Sequence, residues 1–140
     1  MSKRPKIRHL AIITRDPEKL AKFYGEVFEL EVLHRSETGA VYMTDGYMNV
    51  ALLRQKMQDT PNGLNHFGWE IEDTVVMGEK LNAFGIPAPT TRPANRPYAE
   101  HRAMDVDGNL FDLSEHGFNR VEYKADRDAH APQKKEMAPT

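Results

Sequence analysis

The chain of 140 residues contains no cysteine. A disulfide framework, a thiolate metal site and a cysteine nucleophile are therefore excluded. Long apolar runs are also missing, so no bilayer-spanning segment is predicted, and the basic start "MSKRPKIRHL" lacks the apolar stretch of a signal peptide. The net charge of −2 gives no indication of nucleic acid or an anionic membrane as partner. These observations favour one globular domain, with a cytoplasmic location as the default.

Two segments read as strands that each carry a histidine on the face opposite a core. In "NHFGWEIED" (residues 65–73), the apolar positions Phe67, Trp69 and Ile71 alternate with His66, Gly68 and Glu70. In "RHLAIITRD" (residues 8–16), His9 occupies the corresponding place. Two similar strands with equivalent histidines suggest that both side chains serve one site.

An aspartate follows each histidine by seven residues, at Asp16 and Asp73, and caps a predicted helix. Apolar stripes at helical spacing follow both caps, at Leu20, Phe23, Tyr24, Val27 and Phe28 and at Val76, Met77, Leu81 and Phe84. Further strand patterns complete two βαβββ modules, at about 6–55 and 64–118, within a predicted domain 1–122. The polar tail 123–140 is expected to be mobile or to lie on a neighbouring subunit.

The repeated βαβββ plan resembles the vicinal oxygen chelate superfamily of glyoxalases, extradiol dioxygenases, fosfomycin-resistance enzymes and bleomycin-binding proteins. The segments that carry the resemblance are "HLAIITRDPEKLAKFYGEVFELE", "NHFGWEIED" and "DVDGNLFDLSEHG". It implies an α+β fold in which two modules curl a mixed sheet into a cup, with helices outside and a divalent metal inside. It also implies a homodimer in many members, so a homodimer is the expected assembly here.

The expected metal ligands are His9, His66 and one carboxylate of the final strand. In the family the carboxylate usually follows the turn glycine by four residues, which gives Asp112 from Gly108. Strand alternation also places Asp112 on the cup face and turns Glu115 to the other face, unless a bulge redirects it. Asp112 is therefore the predicted ligand and Glu115 its substitute, although the family usually has Glu.

Some members have a fourth ligand in the first half, but the position counted from Gly46 is Val50, which cannot bind metal. Two histidines and a carboxylate leave open positions and suit Fe(II) first, with Mn(II), Ni(II), Co(II) or Zn(II) as alternatives. Because the imidazoles must be neutral, binding should weaken at acid pH. The competing interpretation is a cup without metal.

Four further residues are candidates for the chemistry. Arg102 is predicted to face the cup and hold an anionic oxygen, while Tyr42 resembles a substrate-side tyrosine of the fosfomycin group. Glu70 shares the face of His66 and could act as a general base. Tyr98 lies in "TTRPANRPYAEHR", which is either a solvated connection or a lid carrying Arg92 and Arg96. Arg102 could instead form a surface pair with Glu100, and Tyr42 could only pack.

The leading hypothesis is a metal-dependent enzyme, glyoxalase- or dioxygenase-like, that chelates a small oxygen-rich substrate through two oxygens. A fosfomycin-resistance-like thiol transferase is the alternative within the same class. The other class is a non-catalytic, bleomycin-resistance-like dimer that sequesters a ligand. Fold membership alone does not choose among these, so reaction type, substrate and metal stay open.

Overall fold

A computed structural model describes residues 4–92 and 100–118. The first half contains β1 (Lys6–Thr14), α1 (Pro17–Phe28), β2 (Glu31–Arg35), β3 (Val41–Thr44) and β4 (Asn49–Arg54). The second contains β5 (Gly63–Glu70), α2 (Thr74–Ala83), β6 (Thr90–Thr91), β7 (His101–Met104) and β8 (Leu110–Ser114). We call residues 6–54 module 1 and residues 63–114 module 2.

All eight strands form one mixed sheet in the order β2-β3-β4-β1-β5-β8-β7-β6. Each module places its first strand parallel to its last, β1 beside β4 and β5 beside β8. The modules meet where β1 runs antiparallel to β5. The predicted α+β fold of two βαβββ modules is therefore confirmed, and both modules of the sheet come from one chain.

Both predicted helix caps are present. Asp16 Oδ1 accepts a hydrogen bond from the Lys19 amide at 3.1 Å, with Pro17 at the start of α1. Asp73 Oδ1 accepts from the amides of Val75 and Val76 at the start of α2. Because each cap closes the turn directly after a histidine strand, the caps fix where these strands leave the sheet.

The helices bury only part of their predicted apolar stripes. Leu20 and Tyr24 of α1 pack on a core that includes Met43, and Met77 and Leu81 of α2 pack on a second core around Ile71, Phe111 and Leu113. The other stripe members are largely exposed, namely Phe23, Val27, Phe28, Val76 and Phe84. The stripe pattern predicted both helices correctly and overestimated how much of each is covered.

The β1/β5 seam brings the two histidines together. Across it His9 pairs with Gly68 and His66 pairs with Ala11, so that each histidine faces a small residue. A Cβ on Gly68 would lie 2.8 Å from the Phe118 ring and 2.9 Å from His9 Cβ. Only glycine fits this close approach without a shift of the neighbours.

Parts of the sequence predictions lie outside the described residues. These are the tail 123–140 and the stretch 93–99, which includes Arg96 and Tyr98. Within the described ranges, neither helix is long and apolar enough to cross a membrane.

Candidate metal centre and its cavity

Three side chains converge on the concave face of the sheet, from three adjacent strands. His9 Nε2 lies 3.6 Å from Asp112 Oδ2, and His66 Nε2 lies 3.0 Å from the same oxygen. One potential ligand atom from each residue lies within 4.8 Å of the other two. The edge between two ligands of an octahedral ion with 2.1 Å bonds is about 3.0 Å, and about 3.4 Å in a tetrahedral site. The two separations measured to Asp112 Oδ2 are close to these values.

Asn49 fixes the orientation of the His9 ring. Its Nδ2 donates to the Phe118 carbonyl at 3.0 Å, so its Oδ1 must be the atom that lies 2.9 Å from His9 Nδ1. Since that oxygen can only accept, Nδ1 carries the imidazole proton and the lone pair of Nε2 points at Asp112. The Phe118 ring stacks on His9 at a centroid distance of 4.9 Å.

The environment sets the protonation states of His9 and Asp112. Burial lowers the pKa of His9 to about 4, although the nearby Asp112 charge opposes this shift. Burial alone would raise the pKa of Asp112, but its hydrogen bond with His66 and the charge of Arg102 hold that pKa well below its usual range. At neutral pH the cluster therefore contains a neutral His9 and an ionised Asp112.

Two arginines bind the other oxygen of the same carboxylate. Arg102 Nε donates to Asp112 Oδ1 at 2.9 Å, and Arg92 Nη1 lies 3.2 Å from that atom. Oδ1 thus faces two guanidinium groups while Oδ2 faces the two imidazoles. The alternative surface pair of Arg102 with Glu100 does not form, because Glu100 accepts hydrogen bonds from Ser114 Oγ and the Glu115 amide.

The cluster lies in a cavity of about 360 Å³. Its polar part holds the three converging residues with Arg92 and Arg102. Most of its apolar wall comes from module 1, and consists of Ile13, Ala40, Tyr42, Ala51 and Leu53, with Met57 from the segment after it. Tyr42 therefore lies where a bound molecule would contact it, and its ring stacks with His34 at 5.8 Å.

The sequence model of the Glyoxalase/Bleomycin resistance protein/Dioxygenase superfamily matches residues 6–113. The chain belongs to this superfamily. No curated protein sequence matches the chain.

Solved structures show the same fold at low identity. A hypothetical protein BH1468 from Bacillus halodurans C-125 is 15% identical with a TM-score of 0.62, over 79% of this chain and 94% of that one. The 2,3-dioxygenase LapB from Pseudomonas sp. KL28 is 20% identical with a TM-score of 0.63, over 78% of this chain and 40% of the dioxygenase. Methylmalonyl-CoA epimerase from Mycobacterium tuberculosis is 13% identical with a TM-score of 0.60, over 76% and 85% of the two chains. These likenesses establish the fold alone.

Two residues that the sequence analysis assigned to the site, Glu70 and Glu115, do not line the cavity. Glu70 Oε1 accepts from Arg8 Nη1 at 2.6 Å and does not line the cavity, so the structure does not bring a general base from this position to the cluster. Glu115 Oε2 accepts from the amide and hydroxyl of Thr74, at the start of α2. That anchorage keeps Glu115 away from the histidines and leaves Asp112 as the carboxylate of the cluster.

The expected counterpart of Asp112 in module 1 needs a correction of one residue. Val50 packs toward the helix side, whereas Ala51 lines the cavity. Strand register gives the same answer, because Ala51 pairs with Ala11 as Asp112 pairs with Gly68. The count from Gly46 failed because the glycine lies at a different place in the two turns, three residues before the start of β4 and two before the start of β8. An alanine, like a valine, supplies no ligand atom.

The sequence analysis missed Asn49 and Phe118, which hold His9, and did not connect Arg92 with Asp112. A signal for Asn49 was present, since it is a polar residue in an apolar strand and shares alternation with Ala51 and Leu53. The parallel register that sets Asn49 beside His9 is a tertiary property that the strand pattern alone does not specify.

Proposed function

We propose that this superfamily member is a divalent-metal-dependent enzyme, glyoxalase- or dioxygenase-like, acting on a small oxygen-rich substrate that chelates the metal through two oxygens. The observation that carries the proposal is the arrangement of His9, His66 and Asp112. Asn49 directs the His9 lone pair at the ionised Asp112 carboxylate, so two acceptor atoms approach each other, and a metal ion held between them would make this approach favourable.

The donor set fits a metal ion. Two imidazoles and one carboxylate are the usual ligands of non-haem Fe(II) and leave open positions for substrate, so Fe(II) is our first assignment, with Mn(II), Ni(II), Co(II) or Zn(II) as alternatives. When bound, the metal would act as a Lewis acid on substrate oxygens. His9, His66 and Asp112 would hold it, and Asn49 would keep the His9 ring in the ligating orientation.

The remaining cavity residues would hold the substrate. Arg102 would bind an anionic oxygen through its guanidinium, and Tyr42 would contact the body of the molecule. The assignment of Tyr98 to the substrate site remains a prediction, as does that of Glu70 as a base. We further propose a cytoplasmic homodimer with a small-molecule substrate and neither nucleic acid nor membrane as partner.

One observation favours a second function. Arg92 and Arg102 already neutralise Asp112 without any metal. A cup stabilised in this way could bind a ligand non-catalytically, as bleomycin-resistance-like proteins do. A fosfomycin-resistance-like thiol transferase is the other alternative, and it would use the same metal ligands.

Metal analysis of protein purified without chelator tests the proposal. We expect close to one divalent ion per chain in the wild type and in Glu115→Gln, and less than a tenth of that in Asp112→Asn. Glu115→Gln is the matched control, because it removes a carboxylate from the same strand end. A metal-free wild type that also fails to bind added Fe(II) or Mn(II) would favour the non-catalytic cup.

A further inference from the structure

After β8 the chain turns back toward the concave face of the sheet. The His116 amide donates a hydrogen bond to Ser114 Oγ at 3.1 Å, which holds the start of this turn. Gly117 has a φ of 85°, in the left-handed region that favours glycine, so the chain can reverse direction there. The turn brings Phe118 into the interior, where its side chain is fully buried. We call residues 115–118 the closing segment.

Phe118 packs against the other module. It follows the last strand of module 2, yet it belongs to the buried cluster that contains Ala11, Ala40, Tyr42 and Ala51 of module 1. Its burial therefore depends on the two modules being joined along the β1/β5 seam. The closing segment thus connects the end of module 2 with the core of module 1.

Phe118 restrains the His9 ring in two ways. The two rings are nearly parallel, with an interplanar angle of 6° and centroids 4.9 Å apart. The Phe118 carbonyl accepts from Asn49 Nδ2 at 3.0 Å, and Asn49 Oδ1 in turn accepts from His9 Nδ1 at 2.9 Å. One residue therefore contacts the face of the imidazole directly and its Nδ1 edge through Asn49, which leaves Nε2 directed at Asp112. Contacts of this kind behind a metal ligand set its orientation.

The Phe118 ring fills the space between His9 and β5. A Cβ on Gly68 would lie 2.8 Å from Phe118 Cζ and 3.0 Å from His9 Cδ2. Both rings are thus packed closely against the backbone of β5. A smaller side chain at position 118 would leave space beside the imidazole, into which that ring could tilt.

We infer that Phe118 is a positioning residue of the proposed metal centre, and that it holds His9 in its ligating orientation. The inference rests on the proposed function, since it concerns a ligand of the proposed ion. Phe118 lies beyond residues 6–113, which the superfamily model matches, so the role is assigned from the contacts in this chain. The metal centre is therefore complete only when the closing segment is packed into module 1.

Titration of Mn(II) into chelator-treated, full-length protein at pH 7.5 tests the inference. Phe118→Leu keeps an apolar side chain without the flat ring and should weaken Mn(II) binding about 10- to 100-fold. Phe111→Leu is the matched control, because Phe111 is a buried phenylalanine of β8 that packs in the core beneath α2. It should lower the urea midpoint of unfolding by an amount similar to that of Phe118→Leu. Its Kd for Mn(II) should change by less than about 3-fold, because its side chain lies on the opposite face of the strand from Asp112.

Nuclear magnetic relaxation of the His9 ring CH groups in metal-free protein gives a readout that a general loss of stability does not change. The wild type and Phe111→Leu should have a rigid His9 ring. Phe118→Leu should have a mobile one, because the imidazole can tilt into the vacated space. Phe118→Met has a longer, flexible side chain without a ring, and should give the same result if Phe118→Leu fails to fold.

The two measurements separate this inference from the proposed function. If the wild type binds Mn(II) and Phe118→Leu binds it equally well with a rigid His9 ring, the positioning role is wrong and the metal site stands. If the wild type binds neither Mn(II) nor Fe(II), the metal site is wrong. In that case a mobile His9 ring in Phe118→Leu would still support the positioning role, and a rigid ring would overturn it.

Discussion

The two modules share one strand plan and contribute unequally to the site. Module 2 supplies His66, Asp112, Arg92 and Arg102, whereas module 1 supplies His9 and most of the apolar wall. At the position equivalent to Asp112, module 1 has Ala51. A repeated scaffold therefore need not repeat its chemistry. Module 2 carries most of the polar side chains of the site, and module 1 carries most of the apolar wall.

The two histidines also differ in how each ring is held in place. His9 is 4% exposed and is held by the buried Asn49 and by the Phe118 ring. His66 has an asparagine partner too, but the 2.7 Å contact between His66 Nδ1 and Asn65 Oδ1 is exposed. The Nδ1 side of His9 is thus fixed by the core, and that of His66 by a contact that water can replace.

Removing either histidine should have the largest effect on metal affinity. His9→Ala and His66→Ala should both lower metal affinity by about 1000-fold or more, since two protein ligands hold a divalent ion poorly. The free energy of unfolding in urea should distinguish the two variants. His9→Ala leaves Asn49 Oδ1 buried without its donor and should cost about 1–3 kcal/mol more than His66→Ala. His116→Ala is the matched control, and equal unfolding free energies for the first two variants would contradict the difference between modules.

Placing a carboxylate in module 1 tests the equivalence directly. Ala51 is 1% exposed among apolar neighbours, so Ala51→Asp should destabilise the metal-free protein by about 3–5 kcal/mol relative to the isosteric Ala51→Asn. Mn(II) should raise the melting temperature of the Asp variant more than that of the Asn variant, because the new carboxylate can reach the ion. Identical shifts would mean that Ala51 does not correspond to Asp112.

Acid should weaken the metal-free protein through His9. Burial lowers its pKa from 6.5 to about 4 in the folded state, so between these pH values the unfolded chain binds a proton that the folded chain does not. The stabilisation is complete above pH 6.5 and is lost as pH falls toward 4, a change of about 3 kcal/mol. Urea unfolding at pH 7 and pH 4.5 measures it. His66→Ala should retain this dependence and His9→Leu should not, whereas an undiminished slope in His9→Leu would assign it to other groups.

Replacing the asparagines that contact the two histidines should have the smallest effects on metal affinity. Asn49→Leu removes the acceptor that orients His9 and should weaken Mn(II) binding about 10- to 100-fold. Asn65→Leu is its counterpart in module 2 and should change the affinity by less than about 3-fold, since water replaces the exposed contact. The ¹⁵N shifts of the His9 ring should report a proton on Nδ1 in the wild type and a mixture of tautomers in Asn49→Leu. Equal losses of affinity in both variants would contradict the contrast.

The sequence was sufficient to predict the parts of the fold that depend on local pattern. Period-two alternation set the faces of the histidine strands, and the aspartates at 16 and 73 located both helix starts. The same alternation selected Asp112 over Glu115, because β8 contains no bulge that would exchange their faces. These properties follow from a few neighbouring residues.

The contacts that the sequence analysis missed join residues far apart in the chain. Arg92 reaches Asp112 across 20 positions, and Asn49 reaches Phe118 across 69. The count from Gly46 gave Val50, because the glycine lies one residue further from the strand than in module 2, and a shift of one residue moves a side chain to the other face of the sheet. The exposed Phe23 and Phe84 show that helical periodicity indicates an apolar face without indicating how much of it is covered.

The β1/β5 seam would make the union of the halves depend on metal supply. His9 lies on one side of the seam, and His66 and Asp112 lie on the other, so an ion bound by all three cross-links the modules without a covalent bond. At a free ion concentration 100 times the dissociation constant, such a cross-link stabilises the assembled form by about 2.7 kcal/mol. Chelation would then remove this contribution to the free energy that holds the two halves together.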